Sequence, residues 1–195
     1  MEDGLQTALS VALGIGLSAA AGFRVFVPLL AISAASMAGY LELSPGFQWM
    51  GSVPALTVFA TATVLEVLAY YIPWLDNALD AIATPAAVLA GVVASASVMV
   101  EMPPLLKWTL AFIAGGGIAG IVQGATALLR LKSTALTGGL GNPALATAEL
   151  AGAVSTSALA ILLPLVGLLL ILCFAVLAFW FARRVIFGRP RSASQ

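Results

Sequence analysis

The sequence predicts an all-α integral membrane protein with about six transmembrane segments. Of its 195 residues, 62% are hydrophobic and only 8% are charged, whereas soluble domains carry about 25% charged residues. The mean hydropathy is +1.10. Apolar stretches of about 20 residues, the length of a membrane-crossing helix, recur along the whole chain. A membrane β-barrel would instead show alternating polarity. We therefore expect a single transmembrane domain over residues 1–195, ending in a short polar tail at 185–195.

Six apolar segments are separated by connections that contain the Pro, Gly or Asn residues typical of turns. The first segment is too long for one crossing, because about 35 helical residues span about 52 Å and the bilayer core is about 30 Å thick. Pro28 is expected to break it, since proline lacks an N–H and clashes with the carbonyl four residues earlier, that of Arg24. The predicted segments are roughly 5–40, 53–72, 79–100, 106–130, 145–163 and 165–183.

The distribution of basic residues predicts the orientation. Arg130 and Lys132 lie at the start of the 131–143 loop, and further arginines follow the last segment. By the positive-inside rule, this loop and the C-terminus face the cytoplasm. Six crossings place the N-terminus there too.

A shift of 100 positions aligns residues 16–39 with 116–139, with six identities in 24 positions. Three segments in each half, 5–100 and 106–184, would give the halves opposite orientations. Such inverted repeats are typical of secondary transporters, whose binding sites lie where broken helices meet. The sequence thus predicts a 3+3 inverted repeat with broken or re-entrant first and fourth segments. Chance similarity between two helices rich in small residues is the alternative.

Arg24 lies inside the first apolar segment. An arginine at the centre of a membrane helix costs roughly 2.5–3.5 kcal/mol on insertion scales. We expect this cost to be offset by a carboxylate partner or by an anionic substrate, because a guanidinium suits forked contacts with carboxylate or phosphate.

Acidic side chains within or beside the segments are candidate partners and candidate ion ligands. Glu66 and Glu149 lie within the second and fifth segments at similar predicted depth, so they can converge. Asp76, Asp80 and Thr84 recur at four-residue spacing, which places them on one helix face. Capping and dipole compensation at a helix start explain the two aspartates equally well.

The 133–143 stretch adds hydroxyls, flexible glycines and the amide of Asn142. Unwound backbone of this kind lines membrane binding sites, although a turn-rich loop has the same composition. Oxygen ligands suit hard cations or protons, and a chain with no His and one Cys argues against zinc or copper sites. No cofactor is predicted. The identity of any metal stays open, and its ligands would come from four carboxylates: Glu66, Asp76, Asp80 and Glu149.

Several motifs resemble one known family. They are "GFRVFVPLL" near the start, "EVLAYYIPWLDNALDAIATPAAVLAG" at 66–91, "STALTGGLGNPALATAE" at 133–149 and "LLP" at 162–164. Together they resemble the bacterial membrane proteins grouped as domain of unknown function 4126 (DUF4126). The resemblance implies a multi-pass protein of the inner (plasma) membrane and supplies neither an activity nor residue roles.

The functional expectation is a small secondary transporter or channel-like carrier of an ion or small solute, coupled to a cation or proton through its intramembrane carboxylates. The alternative is a lipid-handling or structural scaffold protein with a buried ion pair and no transport. An enzyme is not expected, because the chain lacks His and a nucleophile–base pair. Membrane lipids are the expected surroundings, a homodimer would shield a chain with few loops, and zero net charge gives no indication of nucleic-acid binding.

Overall fold

The computed structural model describes residues 2–170 and positions 173, 176 and 180, with backbone alone at 2, 3, 73–78, 80 and 81. These residues form helices and contain no strand, so the predicted all-α class is confirmed for this part of the chain. The α-helices are α1 (Glu2–Phe23), α2 (Phe26–Met37), α3 (Val53–Ala69), α4 (Pro73–Val98), α5 (Pro104–Leu110), α6 (Gly117–Thr137) and α7 (Asn142–Leu162). A 3₁₀-helix covers Gln48–Gly51, and a π-helical stretch at Ala111–Gly116 joins α5 to α6.

Prolines and glycines set several helix boundaries. Pro73 and Pro104 are the first residues of α4 and α5, where the missing N–H would have no intrahelical partner. Gly138, which ends α6, has φ 63°, and Gly139 has φ 91°. Glycine adopts this left-handed backbone without a Cβ clash, so these two residues start the tight turn into α7.

The predicted break in the first segment is confirmed. Helix α1 ends at Phe23 and α2 begins at Phe26, with Pro28 in the first turn of α2. Because Pro28 has no N–H to donate to the carbonyl of Arg24, a continuous helix through this point would leave that carbonyl without its usual partner. The chain reverses direction here, and α1 and α2 form a helical hairpin.

Helix α1 packs antiparallel to α4 at short distance. The hydroxyl of Ser18 donates to the carbonyl of Gly91 at 2.7 Å. A Cβ added at Gly14 would lie 2.7 Å from Oγ of Ser95. Small residues therefore let the two backbones approach closely, as in membrane helix pairs.

The bundle has two ends. At the first, which we call the Glu101 end, the start of α1 lines a cavity of about 180 Å³ together with Glu42 and Glu101. At the other, the Arg24 end, the α1–α2 break contacts the last turns of α3 and the first two turns of α7. The expectation that the N-terminus shares a side with the 131–143 loop is not met, because the first segment reverses at Arg24 and traverses the bundle twice.

Three helical stretches of the described residues are long and apolar enough to cross a membrane, and three shorter apolar helices accompany them. This supports a membrane protein, without establishing six spans. The long stretches are Gly4–Phe23, Pro104–Thr137 and Asn142–Leu162, and the shorter ones are Phe26–Met37, Val53–Ala69 and Ile82–Val98.

The predicted break in the fourth segment is wrong. Residues 104–137 are helical throughout, and the backbone changes to π-helical bonding at Ala111–Gly116 without interruption. No proline occurs between 105 and 142, so nothing removes an N–H from this helix. Positions 124–125, which the proposed repeat aligns with the Arg24 break, lie inside α6, and the inverted repeat is not confirmed. Most of the predicted sixth segment, 165–183, and the whole tail at 185–195 lie outside the described residues.

Candidate functional site: charged side chains at a helix break

The break before α2 leaves the first backbone N–H groups of that helix without intrahelical acceptors. Glu66, which lies on α3, supplies the missing acceptors. Its Oε1 accepts from the N–H of Val25 at 2.8 Å, and its Oε2 accepts from the N–H of Phe26 at 3.1 Å. A carboxylate at a helix N-terminus also interacts favourably with the helix dipole. Glu66 therefore caps α2 from a neighbouring helix.

Arg24 immediately precedes the capped turn and is only 2% exposed. Its Nη2 donates to the carbonyl oxygen of Ala146 at 3.0 Å and lies 3.3 Å from Oε2 of Glu149. Both acceptors belong to the first two turns of α7. The structure thus gives Arg24 the carboxylate partner that the sequence predicted, and identifies it as Glu149.

A second arginine shares this carboxylate. Nη2 of Arg130, on α6, forms a hydrogen-bonded ion pair with the same Oε2 of Glu149. Arg130 is 3% exposed and Glu149 is 7% exposed. Buried charges of this kind persist only where they are paired, because removal from water costs several kcal/mol per ion. Glu149 therefore holds two guanidinium groups together inside the protein.

The ring of Tyr70 contacts both guanidinium groups. Its centroid lies 3.9 Å from Cζ of Arg24 and 4.4 Å from Cζ of Arg130, within the range of cation–π contacts. Tyr70 is the C-cap residue of α3, one turn after Glu66. The last turn of α3 therefore brings both side chains to the break. We call the five residues Arg24, Glu66, Tyr70, Arg130 and Glu149 the Arg24 cluster.

Contacts beside the cluster hold α3 and α6 against the start of α7. The hydroxyls of Tyr71 and Thr147 are hydrogen-bonded at 2.8 Å. Asn142 is buried, and its Nδ2 donates to Oγ1 of Thr134 at 3.0 Å. On α7, Asn142 and Glu149 share the buried face. The predicted site residue Asn142 thus lies two turns from Glu149, with its amide bonded to α6.

The structure does not bring Thr84 to the cluster, because its side chain is exposed on α4. Asp76 and Asp80 occupy the first turns of α4, and their side chains lie outside the described residues. Among the described residues, no three His, Cys, Asp or Glu side chains form a group that could hold a metal ion. Glu66 and Glu149 instead bind backbone N–H groups and guanidinium groups. The described part of the chain therefore does not assemble the predicted set of carboxylates as a cation site.

Sequence reasoning did not include Arg130 and Tyr70 in the site. Its position in the sequence predicts that Arg130 flanks a cytoplasmic loop. The spacing of Arg130 and Glu149 around the predicted turn indicates that they are neighbours. Arg130 lies two turns before the end of α6, and Glu149 lies two turns after the start of α7. A tight turn between antiparallel helices places such positions at the same level. Tyr70 follows Glu66 by four residues, so the two share a helix face.

One protein-family model, described as domain of unknown function (DUF4126), matches residues 11–184 of the chain. The match covers the whole Arg24 cluster. No curated protein and no solved structure matches the chain significantly.

Proposed function

Because the chain belongs to the DUF4126 family, whose description names no activity, we propose a function from the site itself. The protein is a small secondary transporter or channel-like carrier of an ion or small solute. Its binding site is the Arg24 cluster, and its intramembrane carboxylates couple the movement of the solute to protons. The proposal does not depend on the inverted repeat that the sequence predicted.

The observation that carries the proposal is the burial and incomplete hydrogen bonding of Arg24. Its side chain is almost completely buried at a helix break, yet Nε and Nη1 have no hydrogen-bond partner among the residues that the structure describes. Leaving buried donors of a charged group unsatisfied costs more than about 1–3 kcal/mol. A group kept only to hold helices together is expected to have its donors satisfied. Broken helices with buried polar groups form the substrate sites of many secondary transporters.

Glu149 is the coupling carboxylate in this proposal. It contacts both arginines, so a proton that binds Glu149 leaves two guanidinium charges less compensated. The affinity of the site for a solute then depends on whether Glu149 is ionised. Glu66 has a different role, because its two oxygens hold the N-terminus of α2 at the break.

The test uses purified protein in proteoliposomes that contain a pH-sensitive dye. A panel of small acids, amines and inorganic ions is added outside, and proton movement is followed. We expect a solute-dependent proton flux with the wild type and none with Glu149→Gln, when both are reconstituted as folded protein, checked by circular dichroism, at the same protein-to-lipid ratio. The matched control is Glu101→Gln, which removes an exposed carboxylate at the opposite end of the bundle. Wild-type flux and wild-type ion-dependent thermal stability in both Glu149→Gln and Glu66→Gln would refute the proposal.

A structural scaffold or lipid-handling protein is the second candidate. It is favoured by the pairing of Glu149 with two arginines and by an apolar groove of about 250 Å³ between α2 and α7. The triple charge reversal Arg24→Glu, Arg130→Glu and Glu149→Arg separates the candidates. In a scaffold, the reversal restores much of the stability that Arg24→Glu alone removes, because opposite charges meet again. A transporter site loses its solute even when the protein folds.

A further inference from the structure

We infer that the end of α3, residues 66–70, is a gate over the Arg24 cluster, and that it opens by swinging about a bend in the middle of α3. The inference rests on the proposed function, because it states how a solute reaches the same site. It follows from three features of α3. Side chains at its end cover the cluster, polar contacts attach this end, and the centre of the helix favours a bend.

The end of α3 covers part of the Arg24 cluster. Arg24 is 2% exposed and Arg130 is 3% exposed, so a solute reaches them only after a movement of the protein. The ring of Tyr70 lies over both guanidinium groups, 3.9 and 4.4 Å from their Cζ atoms. One turn earlier, Glu66 occupies the break through its hydrogen bonds to the start of α2. Withdrawal of the end of α3 therefore removes both side chains from the arginines at once.

Apolar packing holds α3 most firmly near its start. Ala55 and Phe59 are buried in the main hydrophobic core, and the ring centroid of Phe59 lies 6.0 Å from that of Trp49. From position 60 to position 69, every residue is half-buried or exposed. Membrane helices associate through van der Waals packing and hydrogen bonds. The start of α3 is thus the fixed half of the helix, and its end is the half that can move.

The contacts that the structure describes at the end of α3 are polar. Glu66 accepts from two backbone N–H groups at 2.8 and 3.1 Å, and the hydroxyl of Tyr71 is hydrogen-bonded to that of Thr147 at 2.8 Å. Hydrogen bonds within a protein can be exchanged for hydrogen bonds to water, so their net contribution is modest. Water or an entering solute can therefore replace the contacts that hold the gate closed.

The centre of α3 favours a bend between the fixed half and the gate. Oγ1 of Thr61 donates to the carbonyl oxygen of Thr57 at 2.8 Å, and Oγ1 of Thr63 donates to that of Phe59 at 2.8 Å. Threonine hydroxyls bonded to the carbonyl four residues earlier often bend helices. Thr61 and Thr63 both lie between the buried Phe59 and the capping Glu66. The end of α3 can therefore swing while the start stays packed.

The test measures the position of the gate by double electron–electron resonance in lipid nanodiscs. Spin labels are attached to Leu68→Cys on α3 and Leu128→Cys on α6, two exposed positions, after Cys173→Ser removes the exposed native thiol. A longer second distance is expected to be about ten times more populated in Glu66→Gln than in the wild type, equivalent to about 1.4 kcal/mol, because glutamine keeps one of the two acceptors. The matched pair labels Val58→Cys, in the fixed half, and should show one unchanged distance.

A second variant keeps the test decisive if Glu66→Gln does not fold. Tyr71→Phe removes one hydroxyl at an exposed position, and we expect it to raise the population of the longer distance about threefold. Adding Thr61→Ala and Thr63→Ala should reverse that rise, because the bend is then less favoured. Thr109→Ala is the control, since it removes the same kind of hydroxyl contact from α5.

Two outcomes would overturn the gate. One is an unchanged distance from Leu68→Cys in every folded variant of Glu66 and Tyr71. The other is an equal lengthening from Leu68→Cys and Val58→Cys, because the whole helix would then move and α3 would have no fixed half.

Failure of the gate and failure of the proposed function are distinguishable by a covalent lock. A short bis-methanethiosulfonate reagent bridges Tyr71→Cys and Thr147→Cys in the Cys173→Ser background. We expect the bridge to abolish solute flux in proteoliposomes and a reducing agent to restore it. Flux that persists through the bridged protein would overturn the gate and leave transport standing. Movement of α3 without flux of any solute would refute transport and support the movement of the gate.

Discussion

Glu66 accepts a hydrogen bond from the backbone N–H of Val25 at 2.8 Å, across 41 positions of sequence. An acid within an apolar helix thereby becomes the N-terminal cap of a different helix. This relationship explains how the first segment can break within the helical bundle, since the N–H groups freed by the break are satisfied by a side chain of another helix.

Loss of this cap is expected to destabilise the fold. We expect Glu66→Ala to lower the free energy of unfolding by about 2 kcal/mol, the upper range for helix N-caps. Glu66→Gln keeps one acceptor oxygen, so its effect is expected to be about half as large. Denaturant-induced unfolding in detergent measures both. Glu101→Gln, at an exposed position, should change stability by less than about 0.5 kcal/mol. Equal stability of Glu66→Ala and the wild type would show that another group caps α2.

Arg130 and Glu149 are expected to be energetically coupled. Removal of one member of a buried ion pair costs about 3–5 kcal/mol, so Arg130→Met should be strongly destabilising, and so should Glu149→Gln. The double variant should be less destabilised than the sum of the single variants by at least about 1 kcal/mol. A double-mutant cycle on unfolding free energies measures the difference. Strict additivity would mean that the pair contributes no coupling.

The ring of Tyr70 is expected to stabilise both arginines. Its centroid is within 4.4 Å of each guanidinium carbon, and buried cation–π contacts are worth up to about 2 kcal/mol. Tyr70→Leu should therefore lower the unfolding free energy by about 2 kcal/mol. Tyr70→Phe is the matched variant, because it keeps the ring and removes only the hydroxyl. If both variants lose the same stability, the hydroxyl and not the ring is responsible.

Close packing of α4 against α6 and the π-helical stretch predicts a contrast between two glycines. A Cβ at Gly91 would lie 2.6 Å from Cβ of Ala119 and 2.9 Å from the carbonyl oxygen of Gly115. Gly91→Ala is therefore expected to cost about 1–3 kcal/mol through overpacking. Gly124→Ala meets nothing within 4 Å and should stabilise α6 by up to about 1 kcal/mol. Unfolding measurements on both variants check this, and a stable Gly91→Ala would contradict the close approach.

Local chemistry made part of this protein predictable from its sequence. The all-helical class follows from the apolar runs, and the break of the first segment follows from the missing N–H of Pro28. The need of Arg24 for an anionic partner, either a carboxylate of the protein or an anionic substrate, follows from the cost of burying a charge. Each of these effects depends on residues that are close together in the chain, so the order of residues is sufficient to reveal it.

Only the tertiary structure decided which groups meet. Glu149 was one of several candidate acids, and its selection depends on how α1, α6 and α7 pack. The sequence predicts a loop-flanking position for Arg130, yet the α6–α7 turn directs it inward to the same oxygen. The sequence left open whether the first segment is broken or re-entrant, and packing decides for the reversal that puts the start of α1 at the opposite end from the 131–143 loop. A residue's own chemistry determines which kind of partner it requires. The position of that partner is set by packing contacts between helices that are far apart in the chain.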